Sequence, residues 1–227
     1  MSSSTLQLAS TARLALHTGL SAQSIIFTNG PALTLKTTIS RYLGQRLQIP
    51  VYANYMYGSA FTGGKLDDGK RLARYAPMFA DAGRVLASGR SVILDGNFGE
   101  PVRRASLWKL VRAFNAAVIA IRTACDAPDL LRERARRRAA DPTAADHGVT
   151  YEDHLSTLRE VLANPLEHCP EFWELRVEIV EFRTGTEAYV CCGAGARADT
   201  RMIASILEGS GLLAPSPACS DCDRSCR

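Results

Sequence analysis

Thr28 to Thr38, TNGPALTLKTT, is the stretch on which the reading of this chain turns. It has the frame of a phosphate-binding loop, G-x-x-x-x-G-K-[ST]. In that template glycines let successive backbone N–H groups curl around phosphates, a lysine neutralises them, and a hydroxyl holds Mg²⁺. Gly30, Lys36 and Thr37 stand in register, Thr38 follows, and Leu35 occupies the second glycine position. If that position needs a positive φ, the leucine side chain costs on the order of 1–2 kcal/mol. The backbone donors survive whatever the side chain, so the loop is expected to be weakened or reshaped, not abolished. The plainer alternative is a strand-turn-helix corner with an incidental lysine.

The flanks supply the context that the template requires. SIIFTN (24–29) is a short β-branched run. TTISRYLGQRLQ follows it with Ile39, Leu43 and Leu47 on one helical face. IPVYA reads as a strand, and residues 67–88 as a helix with Leu72, Tyr75, Phe79, Ala82 and Leu86 in step, stopped by Gly89. SVILD (91–95) is a strand ending in a carboxylate. The helix after it opens at Pro101 and has Val102, Leu107, Leu110 and Val111 as apolar positions.

AAVIAIRTAC is the next strand, DAPDLLRERARRRAAD an arginine-faced helix, and a further helix is expected near 151–163. RVEIVEF, with Val177, Ile179 and Phe182 as its apolar residues, and TGTEAYVCCG suggest a hairpin before a last helix at 198–208. Strands alternating with helices imply an α/β fold of three layers, with a mostly parallel five-stranded sheet and helices on both faces. The expected organisation is a leader at 1–23, one domain at 24–208 and a flexible tail at 209–227.

Composition agrees with a folded chain that crosses no membrane. Hydrophobic residues make up 46% and charged residues 22% of 227, and no apolar run reaches the roughly 18 residues of a spanning helix. The net charge of +4 is too small to indicate nucleic-acid binding, although it leaves it possible. Before Asp67 the chain has Arg13, Lys36, Arg41, Arg46 and Lys65 but no acid, an electropositive half suited to a polyphosphate. Residues 1–20 are Ser/Thr-rich and acid-free, faintly like an organellar transit peptide, but a short amphipathic helix is the expected structure. Seven cysteines, an odd number, do not form a disulfide framework, and a reducing cytoplasm fits best.

Taken in order, the loop, RSVILDGNF and DLLRERARRRAAD resemble the P-loop kinases of small molecules, the group that includes chloramphenicol phosphotransferase, zeta toxins, gluconate-kinase-like proteins and the kinase domain of polynucleotide kinase, over residues 24–205. The resemblance implies a P-loop NTPase fold with a strand-end carboxylate beside Mg²⁺ and the phosphates, here Asp95 with Asn97 close by. An oxygen-donor set of this kind suits a hard cation, with Thr37 as its second protein ligand. A strand-end cap is the other reading of Asp95. The resemblance also implies a lid, about 126–150, whose arginines in R-x-x-x-R spacing close over ATP. Arg134 and Arg138 match it, and four residues apart they share a helical face. Arg132 with Arg136 has the same spacing.

One departure stands out. Many of these kinases have an Asp shortly after the second strand to accept the acceptor's proton, whereas VYANYMYGSAFTGG contains no acid and Asn54 sits where it is expected. Asp67, Asp68 and Asp95 are the candidate substitutes. Phosphoryl transfer tolerates a weak base, because positioning and charge neutralisation supply most of the rate. Tyr52, Tyr55, Tyr57 and Phe61 form either an aromatic acceptor pocket or core. Arg103 and Arg104 are expected to face solvent, with an anionic acceptor as the alternative.

Cys219, Cys222 and Cys226 have C-x₂-C spacing with one more thiol, three ligands where a closed zinc site needs four, and incidental thiols in a flexible tail are expected. Cys125 and Cys169 are expected to be buried, and His147, His154 and His168 to be structural. The sequence thus points to an ATP- and Mg²⁺-dependent phosphotransferase acting on a hydroxyl of a small molecule or nucleotide. In that reading Lys36, Asp95, Arg134 and Arg138 are catalytic, and Gly30, Leu35, Lys36, Thr37 and Thr38 bind the nucleotide with the two arginines. The alternative is a degenerate nucleotide-binding or regulatory protein.

Overall fold

The computed structural model describes residues 20–57, 68–141 and 148–213, with residues 68–72 described by their backbone alone. From the first strand onward the order is β1 (Ser24–Asn29), α1 (Lys36–Leu47), β2 (Val51–Ala53), a 3₁₀ turn (Asn54–Tyr57) and α2 (Asp68–Ala87). These are followed by β3 (Val92–Asp95), α3 (Pro101–Phe114), β4 (Ala117–Cys125), α4 (Pro128–Ala140) and α5 (Tyr151–Ala163). A second 3₁₀ turn (Leu166–His168), α6 (Pro170–Glu174), β5 (Glu178–Thr184), β6 (Tyr189–Cys192) and α7 (Ala198–Glu208) complete the described chain.

The sheet has six strands where five were expected, in the order β2-β3-β1-β4-β5-β6. Five strands run parallel, and β6 adds an antiparallel edge by pairing with β5, as a hairpin return requires. Parallel strands covered on both faces read as continuous apolar runs, which is why SIIFTN and VILD are buried at every position.

Two cores result. Ile25, Phe27, Leu94 and Val118 meet Met78 and Ala82 of α2 and Leu107, Trp108 and Val111 of α3 on one face. Ile26, Ile93, Ile119 and Phe182 meet Ile39, Leu43 and Leu47 of α1 and Ile203 and Leu207 of α7 on the other. Phe98 stands edge-on to Phe27, with ring centroids 5.3 Å apart, anchoring the loop that follows β3 to the first core. Among the described residues no helix is long and apolar enough to cross a membrane.

Three further expectations are corrected. Val102 is 52% exposed, while Arg103 and Arg104 are each 3% exposed. The buried rows of α3 start at these arginines and run through Leu107, Trp108 and Val111, three or four residues on. Both guanidiniums find acceptors inside: Arg103 pairs with Glu100 (3.1 Å) and Glu160 (2.9 Å), and Arg104 donates to the Asn164 carbonyl (3.0 Å). Finally, Cys125 and Cys169 are half-buried, because one ends β4 and the other lies in the bend before α6. The leader over residues 1–19, Phe61, Asp67, His147 and the three tail cysteines lie outside the described residues, as do 142–147 of the expected lid.

Candidate functional site

The carboxyl ends of parallel strands are where this type of sheet places its ligands. β1 ends in the phosphate loop, and its register with β3 brings Thr28 level with Asp95. Asp95 is 3% exposed, and its Oδ1 accepts a hydrogen bond from Thr28 Oγ (3.2 Å). Ala53 pairs with Asp95 across β2 and β3, so Asn54 and Tyr55 arrive beside it. A cavity of about 160 Å³ opens here, lined by Lys36, Thr37, Asn54, Asp95, Asn97 and Arg138 among others. It is smaller than the roughly 300–1,000 Å³ of pockets that enclose a drug-sized ligand, and suits a phosphate chain rather than a whole nucleoside.

The loop is left-handed at the template's second glycine position although a leucine stands there. Leu35 caps α1 in the left-handed region, φ 72° and ψ 15°, and its half-buried side chain packs against the core under α1. Leu33 is left-handed too, φ 66°, and is 2% exposed. The template leaves position 33 open, so the sequence held no signal for this second outlier. Gly30 admits no side chain: a Cβ there would stand 2.3 Å from the Thr123 carbonyl oxygen.

Side chains from distant elements grip the loop. Arg134 Nη1 donates to the Leu33 carbonyl (3.1 Å) and to Thr184 Oγ (3.2 Å). Burial lowers the pKa of this guanidinium, and the two acceptors keep it in place. Thr34 and Thr123 hydroxyls share a 2.6 Å hydrogen bond. From α5, Thr157 Oγ accepts from the Ala32 N–H (2.9 Å), while His154 Nδ1 meets the Ala32 carbonyl (2.7 Å). Because a carbonyl only accepts, Nδ1 carries the proton. His154 is thus structural, and its structural task lies at the loop.

The same helix reaches the other wall. Glu160 accepts from Asn97 Nδ2 (2.9 Å) and pairs with Arg103, which donates to the Asn97 carbonyl (3.3 Å). Tyr75 also donates to that carbonyl (2.8 Å), and burial pushes its pKa up to about 12. No local pattern signals these α5 contacts.

The predicted site residues therefore separate. Lys36, Thr37, Leu35, Asp95 and Arg138 come together at the cavity. Lys36 Nζ donates to the Gly30 carbonyl (2.9 Å) and closely to that of Pro31, spanning the loop mouth. Thr38 is exposed on α1, Gly30 is buried behind the loop, and Arg134 faces the loop's underside. Arg132 pairs with Asp129 and lies over the Tyr151 ring, and Arg136 pairs with Glu133. Tyr55 lines the cavity and accepts from Arg41, whereas Tyr52 and Tyr57 pack against the first core.

No protein-family model and no curated protein matches this chain. Solved structures do. The AvrRxo1-ORF1:AvrRxo1-ORF2 structure with sulphate ions aligns at a TM-score of 0.55 and 16% identity, over 84% of this chain and 64% of that one. The same pair with ATP gives 0.53 and 17%, with the same coverage. A gluconokinase from Sinorhizobium meliloti 1021 aligns at 0.44 and 15%, over 82% and 91%. The chain spans less than two thirds of the AvrRxo1 chains, and at these identities the likeness is one of fold.

Proposed function

We propose that the chain is an ATP-dependent phosphotransferase that moves the γ-phosphate of ATP to a hydroxyl of a small molecule or nucleotide. One observation carries the proposal: Lys36, Thr37, Asp95 and Arg138, drawn from three separate segments, line a single cavity at the head of α1. The fold is consistent with it, and the alignment to a structure containing ATP adds support for a nucleotide ligand.

Lys36 and Thr37 begin α1, so their N–H groups belong to the first turn, which has no intrahelical acceptors and attracts anions. Lys36 leaves its loop carbonyls to neutralise the phosphates, and Arg138 approaches them from α4 to stabilise charge as the phosphoryl group departs. Thr37 and Asp95, a hydroxyl and a carboxylate on the same cavity, fit Mg²⁺, a hard cation that takes oxygen ligands. Bound there, Mg²⁺ would supply charge neutralisation between the phosphates. Asn54, Tyr55 and Asn97 form the neutral part of the wall and offer hydrogen bonds to an acceptor hydroxyl.

The test is calorimetric titration with a non-hydrolysable ATP analogue, with and without Mg²⁺, beside Lys36→Ala. Micromolar binding lost in the variant supports the proposal; no binding at millimolar nucleotide removes it. A second reading, nucleotide sensing without transfer, draws on a specific observation: among the described residues lining the cavity, Asp95 is the sole carboxylate. Metal binding and proton acceptance would then compete for one group. Binding without product across an acceptor screen would favour that second reading.

A further inference from the structure

We propose that Arg134 is a positioning residue of the phosphate loop: it holds the left-handed turn at Leu33 from beneath and is not a ligand of the phosphates. The inference rests on the reading of the loop as a nucleotide site. A leucine in left-handed backbone persists only where its surroundings over-determine it. At residues 32 to 34 they do. Ala32 is held on both its N–H and its carbonyl by α5, Thr34 by Thr123, and Leu33 by Arg134.

Nη1 of Arg134 has two protons and two acceptors, the Leu33 carbonyl and Thr184 Oγ, which lies at the end of β5. That nitrogen is committed to the sheet side of the loop. Arg138, one turn further along α4, lines the cavity instead, so the two arginines of the R-x-x-x-R spacing divide the work: one fixes the loop, the other faces its ligand. The consequence is preorganisation, because the loop carbonyl is turned away and held there before any phosphate arrives.

Arg134→Met, Leu33→Gly and the double variant separate this role from phosphate binding, because glycine adopts the left-handed turn without support. The readouts are hydrogen exchange of the 33–36 amides in the ligand-free protein and affinity for a non-hydrolysable ATP analogue. Arg134→Met is expected to speed loop exchange and weaken the analogue by about tenfold each, and in the Leu33→Gly background both effects should shrink to about threefold or less. Leu33→Asn, which also tolerates this backbone, replaces the glycine variant if the latter does not fold.

Equal losses of affinity in both backgrounds with loop exchange unchanged would make Arg134 a phosphate ligand and overturn the proposal. If the wild type binds no nucleotide, exchange alone decides: acceleration relieved by Leu33→Gly sustains the role of Arg134 while the nucleotide reading falls. Unchanged exchange defeats the proposal whatever the affinity.

Discussion

Leu35→Gly is the most informative single change, because three opposing effects can be sized from the structure. Leucine at φ 72° sits in a region that disfavours side chains by about 1–2 kcal/mol, and glycine recovers that amount. Glycine also gives the unfolded chain more freedom, which costs about 0.5–1 kcal/mol. The side chain is half-buried, so its removal forfeits roughly half of the 1.5–3 kcal/mol of a fully buried leucine. The terms nearly cancel: the sum lies between about 0.75 kcal/mol of gain and about 1.5 kcal/mol of loss, centred on a loss of about 0.4 kcal/mol, read as a small shift of the urea midpoint at unchanged slope.

A left-handed turn that belongs to the folded loop with and without nucleotide places its cost on folding and not on binding. Nucleotide affinity should accordingly stay within about threefold of the wild type. Calorimetric titration of both proteins with the same ATP analogue measures this. Affinity improved by more than about tenfold would show that the leucine obstructs the bound state, and would refute the claim that the cradle is preformed.

Other outcomes follow from single contacts. Arg103→Met leaves Glu100 and Glu160 without their shared buried partner, and should cost about 3–5 kcal/mol in denaturant unfolding. Gly30→Ala places a methyl 2.3 Å from the Thr123 carbonyl oxygen, and backbone must move to relieve it; a loss of about 2 kcal/mol or more is expected, with weakened nucleotide binding. The pKa of Tyr75, raised by burial to about 12, means that the unfolded chain loses this proton first as pH rises. The contribution is therefore complete below about pH 10 and fades toward pH 12, by up to about 3 kcal/mol. Tyr57, raised by burial and its bond to Asp81, acts in the same direction, so Tyr75→Phe should reduce the alkaline slope without removing it.

The sheet was legible because its strands and helices have clean periods. Ile39, Leu43 and Leu47 fall on one stripe, and the residues expected at 198–208 form α7 with those bounds. On α3 the expected Leu107, Leu110 and Val111 do face the core, but Val102 is exposed and Arg103 and Arg104 are buried instead, because arginine counts as polar in any hydrophobic pattern. Glu100 is a local partner of Arg103, but Glu160 for Arg103 and the Asn164 carbonyl for Arg104 come from far along the chain, 60 residues away for Arg104, and no local pattern encodes them. The aromatics after β2 were ambiguous for a related reason: Tyr55 reaches the cavity and Tyr57 the core, from the same 3₁₀ turn.

At the site, types and spacing revealed which residues meet but not what they do on meeting. Arg134 and Arg138 share a helical face, yet side chains of that length diverge, one beneath the loop and one toward the cavity. Thr157 and His154 gave no signal, lying 125 and 122 residues from the Ala32 they hold. These contacts bear on whether the loop is a relic. A loop with leucines at two left-handed positions relaxes to ordinary backbone unless something opposes it, and here α4, α5 and β4 all do. Strain held by three separate elements beside a buried carboxylate is consistent with the proposed phosphate site. The left-handed turn at Leu33 is thus held by side chains from α4, α5 and β4 acting on residues 32–34, with no glycine in the turn.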